Sequence, residues 1–279
     1  MILIPDNSTL REFIPNTMAP AMGETPLFEK ISPFLSSAEK WFMDTFIDEK
    51  ILKEIVDATE DHEDPLYFLP RRIVVLRAWI NALPAIDVVV APTGVGVTET
   101  TTLKPASKAK IDKLLEATWA ELDFNIACLL PRLPMIPYWM ATSPAFKLKE
   151  TLFPNFIAVD ALEIRDHKWE AWVSLSKQIK LIEKRIERDW VSVPVMSRLR
   201  TFSLMGETDG VIGQAIELAR LAVINELREG HPAIDILNDL TTLIRESTTV
   251  FPEWHTSATA ELFRDRSFKN KKDSTGYFM

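Results

Sequence analysis

The stretch Trp172-Val-Ser-Leu175-Ser-Lys-Gln-Ile179-Lys-Leu-Ile182-Glu-Lys-Arg-Ile186-Glu-Arg-Asp-Trp190 decides the fold class. Trp172, Leu175, Ile179, Ile182, Ile186 and Trp190 advance by three or four residues, which lines them along one face of an α-helix. Lys180, Glu183, Lys184, Glu187 and Arg188 are then expected on the wet side. A second helix is read from Ser107 through Ile111, Leu114, Leu115, Trp119, Leu122, Ile126 and Leu129, stopped by Pro131. A third runs through Ile212, Ala215, Ile216, Ala219, Ala222, Val223 and Leu227. It is entered through Asp209-Gly210 and ended at Gly230, which can take the left-handed cap conformation. Further helices are expected at about 35 to 57, 71 to 83 and 233 to 246. The fold class is mainly α.

One segment breaks the pattern. Ile86-Asp-Val-Val-Val-Ala91 and Val97-Thr-Glu-Thr-Thr-Thr102 are rich in β-branched residues on both sides of Pro92-Thr93-Gly94-Val95-Gly96. That is the pattern of a β-hairpin, expected to project between two helices over residues 86–102.

Working outward, the two halves of the chain can be laid over each other at an offset of 144. Phe42 falls on Ile186, Phe46 on Trp190, Ile47 on Val191, Ile51 on Val195, Leu52 on Met196 and Ile55 on Leu199. The offset returns where Ala78-Trp-Ile-Asn81 meets Ala222-Val-Ile-Asn225. After four inserted residues, Pro84-Ala-Ile-Asp87 meets an identical Pro232-Ala-Ile-Asp235. Amphipathic helices align in apolar phase whatever their origin, but Asn81 on Asn225 and the four-residue identity are not apolar phasing. The expected organisation is an N-terminal arm (1–26), a first helical unit carrying the hairpin (27–153), a related second unit (154–263) and a C-terminal tail (264–279). Duplication multiplies surfaces, which favours a scaffolding role over catalysis.

Composition narrows the chemistry. Only eight of the 279 residues are glycine, leaving little material for a dinucleotide fold, a phosphate-binding loop or a propeller. The single cysteine, Cys128, excludes an intrachain disulfide, and His62, His167, His231 and His255 are too scattered for a Cys/His zinc site. Met1-Ile-Leu-Ile-Pro5-Asp6 lacks the basic n-region of a signal peptide, and prolines break the most apolar stretch, 126–140, so a soluble protein without a membrane partner is expected. A net charge of −8 argues against general duplex binding.

No candidate chemistry gathers weight. Asp57, Glu60, Asp61, His62, Glu63 and Asp64 form the densest ligand cluster, but they lack the spacing and central glycine of a calcium loop and read as a solvated connection. Thr93-Gly-Val-Gly-Val-Thr98 has no following Lys-Ser or helix start and reads as a turn. Cys128 reads as a small hydrophobe in a helix, and His167 and His255 as packing beside Trp169 and Trp254. No catalytic, cofactor-binding or metal residues are assigned, and no cofactor is expected. The tail from Arg264 to Met279 is the basic, aromatic exception in an acidic chain, and its Gly276-Tyr277-Phe278 end is expected to dock on its own core or on a neighbour.

Three strings carry a resemblance: Thr93-Gly-Val-Gly-Val-Thr followed by Leu103-Lys-Pro-Ala-Ser107-Lys-Ala-Lys-Ile-Asp-Lys-Leu114; Phe251-Pro-Glu-Trp-His-Thr-Ser257; and Phe268-Lys-Asn-Lys-Lys-Asp-Ser-Thr-Gly-Tyr-Phe278. Together they resemble a family of prophages and tailed phages of Bacteroidetes, similar to head-to-tail connector, or adaptor, proteins. The resemblance implies a virion subunit assembled in the bacterial cytoplasm, forming a homo-oligomeric ring between the portal and adjacent tail or connector proteins. DNA would be non-specific cargo of the lumen, where an acidic wall repels phosphate. Thr93, Gly94, Val95, Gly96, Phe268, Tyr277 and Phe278 are the expected partner contacts. The alternatives are an intracellular helical protein-binding module and a metal-dependent enzyme using residues 57–64.

Overall fold

A computed structural model describes residues 2–14, 26–58, 64–86, 88–91, 94–97, 107–207 and 209–263. The chain is mainly helical. Asp6 accepts the Thr9 N–H and opens α1 (Asn7–Phe13), followed by α2 (Leu27–Thr45), α3 (Glu49–Ala58) and α4 (Pro65–Ile86). The helix expected over 35–57 is two helices. The chain turns at Phe46-Ile47-Asp48, where both apolar side chains are fully buried and the Asp48 carboxylate accepts the Ile51 N–H at 2.9 Å to start α3. α4 runs through Pro84, past the end expected at about residue 83.

β1 (Val88–Ala91) pairs antiparallel with β2 (Gly94–Val97), Val88 opposite Val97 and Ala91 opposite Gly94. α5 (Lys108–Leu129) follows, then 3₁₀ turns at Leu130–Met135 and Trp139–Ala141, α6 (Ser143–Leu148) and α7 (Ile157–Ala161). The deciding stretch forms α8 (Lys168–Ile186), which widens into a π-turn over Glu187–Val191. Then come α9 (Val193–Met205), α10 (Gly210–Glu229), α11 (Ile234–Glu246), α12 (Pro252–His255) and α13 (Ala258–Leu262). Gly230 takes φ +75° at the end of α10, as its residue type requires.

The Pro-Ala-Ile-Asp identity does not mark equivalent places. Pro84-Ala-Ile86 is the last turn of α4, whereas Pro232-Ala233 lies between α10 and α11 and Ile234 begins α11.

Buried apolar side chains form two clusters. The first takes Leu3, Leu10, Phe42, Phe46, Ile73, Leu122, Ile126, Leu129 and Trp139, all from the N-terminal half, together with Trp169, Trp172 and Leu204. The second takes Leu152, Phe153, Ile179, Ile186, Val195, Ala219, Leu240, Phe251 and Trp254. α8 serves both, its first turns in one cluster and its last turns in the other. Ser192, between the π-turn and α9, sits at φ +82° and ψ 151°, its buried hydroxyl without a hydrogen-bond partner among the described residues. Among the described residues no helix is long and apolar enough to cross a membrane.

Candidate functional site

A buried polar constellation lies among residues of the second cluster, and it overturns one expectation. Glu183 is not on the wet side: it is fully buried. Its Oε1 accepts the Leu152 N–H at 2.7 Å, and its Oε2 accepts the Arg200 Nε–H at 2.8 Å. Arg200 reaches from α9 to Glu187 as well. The Leu152 carbonyl accepts from the Ser203 hydroxyl and from Arg220 Nε, and Arg220 also donates to Ser203 Oγ. The N–H and the carbonyl of Leu152 are thus both clamped by side chains from α8, α9 and α10. Burial pushes the Glu183 carboxyl up to about 7, against the opposing pull of Arg200 and the Leu152 N–H.

Glu39, on α2, does the same work near the start of the chain. It is buried and accepts N–H bonds from Ile2 and Leu3 at 2.8 to 3.1 Å. Neither glutamate has an open face toward a cavity-bound ligand. Every oxygen is committed to backbone or arginine, so both carboxylates hold the chain in place.

A cleft of about 390 Å³ opens between α5 and the turn before α8, lined by Glu116, Trp119, Asp123, Arg165 and His167. Here His167 stands at φ +52° and does not cap α8 through its side chain. Asp123 caps it from α5, accepting from Lys168 N–H at 2.8 Å and Trp169 N–H at 3.0 Å. Burial raises the Asp123 carboxyl above its ordinary range, with these two N–H bonds opposing. His167 packs its ring on Trp119 at 4.5 Å, and Arg77 lies over Trp41 and Trp119 while pairing with Glu170. Asp123 and His167 share the cleft, but the carboxylate is spent on the helix end, so the pair is not set up as an acid–base dyad.

The expected site residues fall as follows. Gly94, Val95 and Gly96 are in β2, while Thr93, Phe268, Tyr277 and Phe278 lie outside the described residues. Of the acidic run, residues 59–63 also lie outside them, and Asp64 accepts the Leu66 N–H at the head of α4. Among the described residues no group of three His, Cys, Asp or Glu side chains is placed to hold a metal ion. Cys128 is half-buried, and His255 meets Trp254 edge to face.

The surface adds two features that the sequence does not single out. Tyr138, at φ +61°, is 84% exposed, and Met135 beside it is 81% exposed. The second is an open groove of about 610 Å³ between α10 and α11.

Against known proteins, the model of a family of unknown function (DUF6712) matches residues 18–144, a little under half of the chain. Neither a curated protein nor a solved structure matches.

Proposed function

We propose that the chain is a tandem duplication of one helical unit, and that it serves as a non-catalytic assembly subunit, a head-to-tail connector whose ring passes DNA between portal and tail. Three matched hydrogen-bond devices support the duplication. Leu3-Ile-Pro-Asp6 answers Leu152-Phe-Pro-Asn155; the leucine N–H in each is received by a buried glutamate, Glu39 or Glu183, themselves 144 residues apart. The indole N–H of Trp139 donates to the Phe46 carbonyl, and that of Trp254 to the Trp190 carbonyl, again 144 apart. Thr142 and Ser257, each three residues after its tryptophan, bond back to that tryptophan's carbonyl and cap the next short helix through Ala145 and Ala260. Amphipathic phasing alone does not produce paired polar devices of this kind.

On this reading α2, α3 and α4 correspond to α8, α9 and α10 at offset 144, and α5 through α6 to α11 through α13 at offset 115. The second unit is 29 residues shorter at the place where the first carries β1, β2 and the opening turns of α5. The hairpin is therefore an addition to one copy, the arrangement expected of a dedicated contact in a head-to-tail interface, where a subunit must present two different surfaces. The family match, residues 18–144, stops just past the Thr142 cap and does not extend into the second proposed unit.

The observation that carries the assembly role is the conjunction of that single added hairpin with two buried glutamates, Glu39 and Glu183, whose oxygens are taken up by backbone N–H groups and an arginine. The net charge of −8 suits a lumen that does not retain DNA, and the exposed Met135 and Tyr138 offer a surface for a neighbour. Electron microscopy of the purified protein, alone and mixed with its portal, is expected to give rings. A protein that sediments as a monomer under both conditions overturns the connector reading while leaving the duplication standing.

A further inference from the structure

We propose that the α10–α11 groove is the seat of the chain's own basic, aromatic segment, residues 264–279. The groove's rim carries Asp239, Glu246 and Glu217, the last also paired with Arg220 at 3.6 Å, and half-buried Leu218 and Leu243 give it an apolar floor. Segment 264–279 carries five Lys or Arg against two Asp, together with Phe268, Tyr277 and Phe278. A partly apolar trough with an acidic rim is the complement of a basic strand bearing aromatic side chains.

Position and length agree with the charge. Phe263, the last described residue, packs on Trp190 at 5.9 Å. Thr241, on the core side of α11, reaches the Trp190 carbonyl, so the segment departs about one helix width from the groove on the other side of α11. A helix with side chains is roughly 10–12 Å across, and five extended residues span about 17 Å. A segment leaving Phe263 is therefore long enough to reach the groove within about five residues. A segment tethered so closely acts at an effective concentration in the millimolar range, which favours its own groove over that of another copy.

Comparison within the molecule points the same way. At offset 144 the groove positions Gly213, Gln214, Glu217 and Leu218 of α10 answer Leu69, Pro70, Ile73 and Val74 of α4, all buried. The second unit leaves open a face that the first keeps covered, and its polar substitutions there suit a charged cover.

The test uses the full chain with Cys128→Ser, so that every thiol is introduced. Thr242→Cys in the groove is paired with Ser267→Cys, and the control pairs Ser267→Cys with Ser197→Cys on the exposed side of α9. Under mild oxidation at micromolar protein, the groove pair is expected to close an intramolecular disulfide at least tenfold faster than the control. Adding Asp239→Lys and Glu246→Lys, or 1 M salt, is expected to slow it at least fivefold. Equal rates for the two pairs, or disulfides that join two chains, overturn the proposal. Neither result depends on whether the protein forms rings.

Discussion

At Ser192 a non-glycine residue holds a backbone conformation that is nearly reserved for glycine, and its hydroxyl finds no partner among the described residues. Such a residue costs on the order of 1–3 kcal/mol, and the unpaired hydroxyl adds to it. Ser192→Gly is therefore expected to stabilise the protein by about 1 kcal/mol, the lost strain outweighing the added freedom of the unfolded chain. Differential scanning calorimetry should find the Tm raised by roughly 2 °C. Glu183 makes a pH-dependent contribution. Its carboxyl, raised from 4.5 to about 7, holds a proton in the folded state between those pH values that the unfolded chain has released. Stability from this group thus falls as pH rises through that window and is level above it, by about 3 kcal/mol in all at roughly 1.4 kcal/mol per pH unit. Urea titrations at pH 5 and pH 7.5 should find Glu183→Gln lacking that decline. Glu183→Ala leaves the Leu152 N–H unpaired in the interior and Arg200 with Glu187 as its remaining carboxylate partner, and should cost about 1–3 kcal/mol. The inward position is legible in the spacing: residue 183 stands four after Ile179, on the same helical face. Residue type alone argues it into water, because a buried carboxylate is recognised only through partners, and these lie 17 and 31 positions away in sequence.

At the level of elements, the capping residues give a matched pair of experiments. Thr142→Ala and Ser257→Ala each remove a helix cap and a bond to the preceding tryptophan carbonyl, and each should cost about 1–2 kcal/mol. Chemical denaturation of the two single variants and the double variant should give nearly additive losses, since the sites serve different clusters. A cost at one site alone would separate the two devices and weaken the duplication. The helices themselves are readable in the sequence because their apolar period is long and clean. The break at Phe46–Asp48 is not, because Ile47 and Ile51 continue a plausible helical phase, and only the Asp48 side chain turning to Ile51 starts a new element. In sequence the proposed repeat rests on the middle helices alone. Leu3-Ile-Pro-Asp6 and the Trp139 motif stand at offsets of 149 and 115, so a comparison fixed at 144 passes over the strings that tie the ends together. Of the expected contact residues, sequence puts Gly94 to Gly96 in the turn, whereas the structure has them in β2, paired with Val89 to Ala91; sequence carries no signal for the exposed Tyr138, which follows the 3₁₀ path around Pro131, Pro134 and Pro137.

For the molecule as a whole, α8 couples what would otherwise be two cores. Trp169 stacks on Trp172 at 4.9 Å and meets Phe46 at 4.8 Å, while Ile179 and Ile186 of the same helix belong to the second cluster. Thermal unfolding is accordingly expected as one cooperative transition, with the calorimetric and van't Hoff enthalpies equal. Trp169→Ala should lower that transition by about 3–5 kcal/mol and split it, the first cluster melting ahead of the second. The shared helix also sets an order of events on the ribosome. A nascent chain that has just completed residues 18–144 carries α2, α4 and α5, yet Phe46 and Trp41 still lack the indole of Trp169 that closes over them. The N-terminal half therefore waits, unsealed, for a further stretch of chain to emerge, and a fragment cut where the family match stops would carry that open aromatic face permanently into solution.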